Sequence, residues 1–184
     1  MKHNDEMPFS YPVKVGHISA NPVEVKIAAN AEELAGLARL WSVLEVTALT
    51  AAFEVKRWKR DGIRLKGRVT ADIVQACVVT LDPVEAHIDE PVEVVFVPEG
   101  SKLARMPVAA EGGEMLLDPE GPDAPEIFTG DTIDAGVVAA EHVALAIDPY
   151  PRKADIAFAG HIESTDKDDR KPSPFAVLKN WKKD

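Results

Sequence analysis

From Lys56 to Arg68, seven of thirteen residues are Lys or Arg, and Trp58 stands among them. Cations around an aromatic ring can hold phosphates while the ring stacks on a base, which is what a platform for single-stranded nucleic acid requires. The candidate contact residues are Lys56, Arg57, Trp58, Arg64, Lys66 and Arg68. A solvated sheet surface kept from edge aggregation by Lys and Arg has the same composition. Composition alone does not separate the two readings. Elsewhere chemistry is sparse. The sequence has no Gly-rich phosphate loop, no HExxH and no Gly-x-Ser-x-Gly. His3, His17, His87, His142 and His161 are scattered without metal-ligand spacing. Cys77, the single cysteine, lies in the apolar run QACVVTL and reads as a small core residue rather than a nucleophile. Neither a metal nor a cofactor is expected, and an enzyme has no constellation to stand on.

The elements that must position the basic cluster follow from alternation. Phe53 to Pro83 splits at Asp61-Gly62, a strong turn dipeptide, into two strands of a β-hairpin. A three-residue loop Arg60-Asp61-Gly62, with Gly62 left-handed, pairs Lys59 with Ile63. It sets Phe53 against Val69, Val55 against Gly67 and Arg57 against Leu65 on a mostly apolar side. Glu54–Arg68, Lys56–Lys66 and Trp58–Arg64 then share the other side, the last as a cation–π pair. A two-residue loop would mix the faces, because a one-residue slip turns a strand over.

Length and charge bound the rest. The chain has 184 residues, a formal net charge of −10 and 46% hydrophobic residues, which fits one domain with a proper core. The acidic balance excludes a general nucleic-acid coat, so any such contact is local. One cysteine excludes an intramolecular disulfide framework. The start MKHNDEMPFS has no secretory h-region, and no run approaches a membrane span, so a cytoplasmic location is expected.

Residues 1–9 read as a flexible lead-in and 10–159 as the domain. Tyr11–Ile18 and Val23–Ile27 predict two short strands. Asn30 with Glu33 forms a capping box for a helix over 31–41 with Trp41 at its buried end. Val84–Ile88 and Val92–Phe96 predict two strands parted at Glu90-Pro91, with Glu85, His87, Asp89 and Glu93 outward, an acidic face able to pair with the basic hairpin. Residues 99–126 read as a mobile acidic loop; Met106–Glu126 holds six carboxylates and no Lys or Arg. Asp134 caps a helix from Ala135 to about Ile147, whose predicted apolar stripe is Val137, Val138, Ala144 and Leu145 with Glu141 at its centre. A carboxylate there needs a partner or a wet rim, and it is also the single candidate for an acid catalyst. Ala154–Ala159 predicts a last strand, and 160–184 reads as a flexible tail. Within it Phe175, Leu178 and Trp181 recur at helical steps, fitting either a docking motif or a segment packed on its own domain. The expected class is α+β: a curved antiparallel sheet, barrel-like in the limit, covered by two helices.

The segment Gly67, Ala71, Gln75, Cys77, Leu81, Pro83 resembles the YceD-like family of large ribosomal RNA subunit accumulation proteins, in the form typical of alphaproteobacteria. Asp131, Ile133, Asp134, Glu141, Leu145 and Pro149 match its later segment, and Pro174, Phe175, Ala176 and Leu178 its C-terminal one. The likeness spans roughly residues 10–178. It marks Gln75, Cys77, Leu81, Pro83 and Glu141 as family-motif positions of structural weight. Many relatives carry Cys-x-x-Cys where this chain has Cys77 and Thr80, and some have later cysteines near the position of Lys153. A zinc or redox role proposed for those relatives is therefore not carried over. The resemblance implies a part in 23S rRNA accumulation and large-subunit biogenesis, with no established catalysis. The leading reading is a non-enzymatic factor that contacts ribosomal RNA or an assembly intermediate through the basic hairpin; the second is an acidic adaptor whose loop and Phe175–Trp181 motif hold basic ribosomal proteins or an RNA-processing enzyme. A hydrolase or nuclease using Glu141 is a third, weaker reading.

Overall fold

The computed structural model describes residues 7–18, 21–104 and 124–154, all but the last of them within the compact unit Met1–Lys153. Its centre is a five-stranded sheet in the order β2-β3-β4-β5-β6, formed by β2 (Val23–Ala28), β3 (Glu45–Trp58), β4 (Gly62–Ala76), β5 (Pro83–Pro98) and β6 (Glu126–Phe128). The first four strands are antiparallel, and β6 joins the end of β5 in parallel. A separate two-stranded pair holds β1 (Pro12–Lys14) against β7 (Thr132–Asp134). The α+β class is as expected. The sheet does not close into a barrel: β2 and β6 are its outer strands.

Alternation builds the core. On β4 the odd positions Ile63, Leu65, Val69, Ala71, Ile73 and Gln75 point inward, and β3 matches them with Leu49, Ala51, Phe53 and Val55. A bulge between Val46 and Ala48 flips the phase, so Val46 is also buried, and Thr47 Oγ1 donates to Asp72 O at 3.1 Å beside it. Helices α1 (Ala31–Trp41) and α2 (Ala135–Ala146) complete the same cluster through Leu37, Ala135, Val138, Ala139, Ala140 and Val143. At roughly 25 cal/mol per Å² of apolar area, this shared face is the main stabilising term.

Both helix starts agree with the sequence. Asn30 Oδ1 accepts from Glu32 and Glu33 N, and Glu33 Oε2 accepts from Asn30 N at 2.7 Å, completing the capping box. Asp134 Oδ1 accepts from Gly136 N at 2.9 Å and Val137 N at 3.0 Å. Trp41 is half-buried against the core.

Four expectations need correction. The first hairpin pairs Phe53 with Gly67, Val55 with Leu65, Lys56 with Arg64, Arg57 with Ile63 and Trp58 with Gly62, leaving Lys59-Arg60-Asp61 as its loop. The pairing is two residues from the expected one, and an even shift keeps each face intact. The left-handed residue is Lys59, at φ 53°, not Gly62. Gly62 is needed for space instead, since a Cβ there would meet Trp58 and the Phe96 carbonyl. Second, Pro83–Pro98 is one strand rather than two. Pro91 stays in the ladder opposite Arg68, which a proline can do where its strand lies at a sheet edge. Third, the inward side of α2 is Ala135, Gly136, Val138, Ala139, Ala140 and Val143, whereas Glu141, Ala144 and Leu145 are exposed. Apolar residues occur all round this helix, so its composition did not single out a stripe. Fourth, only Pro12–Lys14 of the predicted Tyr11–Ile18 strand is extended in a ladder. Ala154 lies in a turn, and the rest of the expected strand over 154–159, most of the acidic loop and the tail lie outside the described residues.

Candidate functional site

The side of the sheet away from the helices is polar, and the ladder fixes its rows. Glu24, Glu54, Lys66 and Glu93 line up across β2 to β5, and Lys26, Ala52, Arg68 and Pro91 form the adjacent row. Lys56, Arg64, Lys66 and Arg68 therefore share one open face, as the sequence predicted. Lys56 Nζ lies 2.8 Å from Glu54 Oε1, Lys66 Nζ 2.8 Å from Glu93 Oε2, and Arg64 Nε 3.6 Å from Glu93 Oε1. Arg68 pairs with Asp89 at 2.9 Å, and His87 Nδ1 lies 2.6 Å from Asp72 Oδ1. The hydrogen bond and charge of Lys66, followed by the charges of Arg64 and Lys56, hold the Glu93 carboxyl below its ordinary range. The acidic outward face of β5 thus neutralises the basic face of the hairpin. Exposed pairs of this kind contribute little to stability; their effect is on the field, where three carboxylates offset most of the charge of four cations.

Two of the six candidate contact residues behave differently. Arg57 lies on the opposite side and donates from Nε to Ile18 O at 2.8 Å, so it fastens the N-terminal segment. Trp58 is half-buried at the hairpin tip, and its cation is Lys59, whose Nζ stands 4.1 Å from the ring centroid, rather than Arg64. The sequence placed Trp58 opposite Arg64, and the altered register moved that partner away.

Four of the five family-motif positions, Gln75, Cys77, Leu81 and Pro83, gather at the other end of β4 and β5, and Glu141 does not. Gln75 is buried, donates from Nε2 to Asp148 O at 2.9 Å and thereby ties β4 to the end of α2. Cys77 is shut off from solvent in the turn after β4, where Cys77 N donates to Asp82 O at 2.8 Å and Val78 N to Pro151 O at 2.9 Å. Leu81 closes the turn at φ 63°, 75% exposed, and Pro83 opens β5. Hydrogen bonding from the Thr80 side chain, then from the backbones of Lys153, Thr80 and Val79, lowers the Cys77 thiol from 9.0 to about 6. The thiol sits under one turn at the sheet margin, so those bonds outweigh the desolvation that would raise it. The Thr80 side chain and the backbone of Lys153 thus both converge on Cys77. Among the described residues no group of three or more His, Cys, Asp or Glu side chains could hold a metal ion.

Glu141 is exposed on α2. Its charge, second to desolvation, raises the nearby Glu126 carboxyl above its ordinary value. Phe175, Leu178 and Trp181 lie outside the described residues. Two features were not read from the sequence. Asp134 also accepts from Tyr11 N at 2.8 Å and from Ser10 Oγ, linking the N-terminal segment to α2. The second is the outer edge of β5, which pairs with β6 only over Phe96–Pro98.

The described residues thus form an open α+β sheet with ion pairs across its polar face and a tight turn at 77–82 beyond β4. The family model for YceD, the large ribosomal RNA subunit accumulation protein, matches residues 65–182, and the chain belongs to that family. The match starts at Leu65, inside β4, so it leaves out the N-terminal part of the resemblance noted above. No curated protein and no solved structure matches the chain. No helix among the described residues is long and apolar enough to cross a membrane.

Proposed function

We propose that this chain serves large-subunit rRNA accumulation as a non-enzymatic, protein-facing factor that holds a basic partner. A ribosomal protein or an RNA-processing enzyme has the required chemistry. The supporting observation is the pairing of Arg64, Lys66 and Arg68 with Glu93 and Asp89 across the sheet, and of Lys56 with Glu54 along β3. A face whose cations are already matched gives little counterion release, which is the main source of affinity for a phosphate backbone. The net charge of −10 repels RNA and attracts basic proteins. Affinity purification from cells, with and without ribonuclease, tests the reading. Ribosomal or RNA-processing proteins should remain bound after ribonuclease and leave as salt rises. Loss of every partner on ribonuclease treatment would overturn it.

One observation keeps RNA contact by the hairpin as a second reading. Trp58 at the tip has Lys59 over its ring, and Lys59 and Arg60 have no carboxylate at ion-pair distance among the described residues. Such a tip could stack on one unpaired base inside an assembly particle. Trp58→Ala would then weaken capture of ribonuclease-sensitive particles while leaving the ribonuclease-resistant proteins bound.

A further inference from the structure

Among the described residues, one side of the long strand β5 has few pairing partners. β5 runs from Pro83 to Pro98, and β6 covers only Phe96–Pro98 of its outer edge. Among the described residues nothing pairs with Pro83–Val95 on the side away from β4. A row of unpaired N–H and C=O groups of this length is a template for another strand unless lysines, bulges or cover protect it. Here β5 has neither Lys nor Arg, and Pro91 interrupts the donor row only after Val84–Glu90.

We infer that the outer edge of β5, over Val84–Glu90, accepts by strand addition an extended peptide in which Lys or Arg alternates with apolar residues. This deepens the protein-facing reading and rests on it. The alternation is dictated by the two sides of the strand. An added strand would place every second side chain beside Glu85, His87 and Asp89 on the open polar face. The residues between would lie beside Val84, Ala86, Ile88 and Glu90, of which Ile88 is in the core and Ala86 packs against it. Main-chain bonds would supply the attachment and the alternating side chains the selectivity. Charge decides the occupant. On the open face β5 carries Glu85, Asp89 and Glu93, and Glu85 has no cation at ion-pair distance among the described residues; Glu90, opposite Val69, falls on the other row. Edge-to-edge pairing of a second copy would set acids against acids, which is unfavourable on a sheet, whereas cations complement them.

The test uses the full chain and a synthetic end-capped peptide of alternating Lys and Val, with three comparisons: an alternating Glu and Val peptide, the Lys/Val peptide N-methylated at alternate residues, and the Glu85→Lys variant. Binding of the Lys/Val peptide should slow amide hydrogen exchange within Val84–Glu90 by about tenfold or more, because those amides acquire partners. N-methylation on the pairing edge and Glu85→Lys should each weaken binding about tenfold, and the Glu/Val peptide should not bind. Equal binding of the N-methylated peptide, binding without protection of 84–90, or no binding would each overturn strand addition. Protection of the same amides by raising the protein concentration alone would assign the edge to a second copy and overturn the basic occupant. Ribonuclease-resistant partners combined with an unresponsive edge would reject this site while keeping the protein-facing reading.

Discussion

Trp58 and Gly62 face each other at the tip of the first hairpin, so closely that a Cβ on Gly62 would stand 2.7 Å from Trp58 Cε3 and 2.9 Å from Trp58 O. Gly62→Val should therefore cost about 1–3 kcal/mol through overpacking. Lys59→Gly should be neutral or slightly stabilising, by under about 1 kcal/mol, because the left-handed strain sits on Lys59. Urea unfolding of both variants separates the two causes. If Lys59→Gly were the more damaging, the turn would not have the geometry described.

This turn also shows why the sequence was legible only in part. Alternation and the Asp61-Gly62 signal specified a hairpin and segregated its faces, because side-chain direction depends on the parity of the register alone. They did not specify which residue takes the positive φ, since Gly62 has a second use as a gap beside an indole. The helix caps were readable because Asn30, Glu33 and Asp134 act within a few residues. Pro91 and α2 were misread for the opposite reason. Whether a proline breaks a strand depends on which neighbour lies beside it, and which side of an apolar helix turns inward depends on what packs there. The ion pairs Lys66–Glu93 and Arg68–Asp89 join strands whose opposed charges were visible beforehand. Their partners are set by the register, and so is the conversion of a basic patch into a balanced one.

Gly67→Ala should be the most damaging single substitution in the sheet. A Cβ at Gly67 would lie 2.0 Å from Ala52 O and 2.8 Å from Phe53 Cα, both backbone atoms of a central strand. Neither can move without breaking the β3–β4 ladder. Expression trials and thermal unfolding check this, with loss of soluble folded protein as the expected result. A stable Gly67→Ala variant would mean that Phe53 does not pair there.

Asp134→Ala should cost more than an ordinary helix cap. Removing a cap costs about 1 kcal/mol, and this carboxylate also holds Tyr11 N and Ser10 Oγ. A loss of about 2 kcal/mol or more in denaturant unfolding is expected, since each further bond to a charged group adds to the cap. Faster hydrogen exchange at residues 11–14 should accompany it, because Asp134 fastens that segment to α2. Asn30→Ala, whose cap serves α1 alone, is the control and should stay near the usual figure.

Cys77 should give the protein a pH dependence in the neutral range. The folded thiol titrates at about 6 against 9.0 for an unperturbed one. A lowered folded value means the contribution to stability is complete above the unperturbed value of 9.0 and is lost as pH falls through about 6. Thermal unfolding of wild type should improve across that window, and Cys77→Ala should flatten the slope. Thr80→Val removes the largest cause, the Thr80 side-chain bond, so the thiolate absorbance should then titrate at higher pH. Alkylation should remain slow in every case but the denatured one, since solvent does not reach the thiol. Rapid labelling of the native protein would mean that the turn at 77–82 opens freely.

The last prediction concerns the balance of charge on the open face. Glu93 answers both Lys66 and Arg64, and Asp89 answers Arg68. If those carboxylates are what keeps the sheet from behaving as an RNA platform, Glu93→Gln with Asp89→Asn should release three cations in one patch. Binding to a single-stranded large-subunit RNA fragment should then appear, with a salt slope steeper by roughly 0.7 for each phosphate newly engaged. Wild type should bind that fragment weakly and with a shallow slope. The substitutions are nearly isosteric and the pairs are exposed, so unfolding midpoints should hardly move. An unchanged RNA affinity in the well-folded double variant would show that the pairs do not mask a nucleic-acid face. Strong binding by wild type would instead favour the hairpin contact with RNA over the protein-facing role.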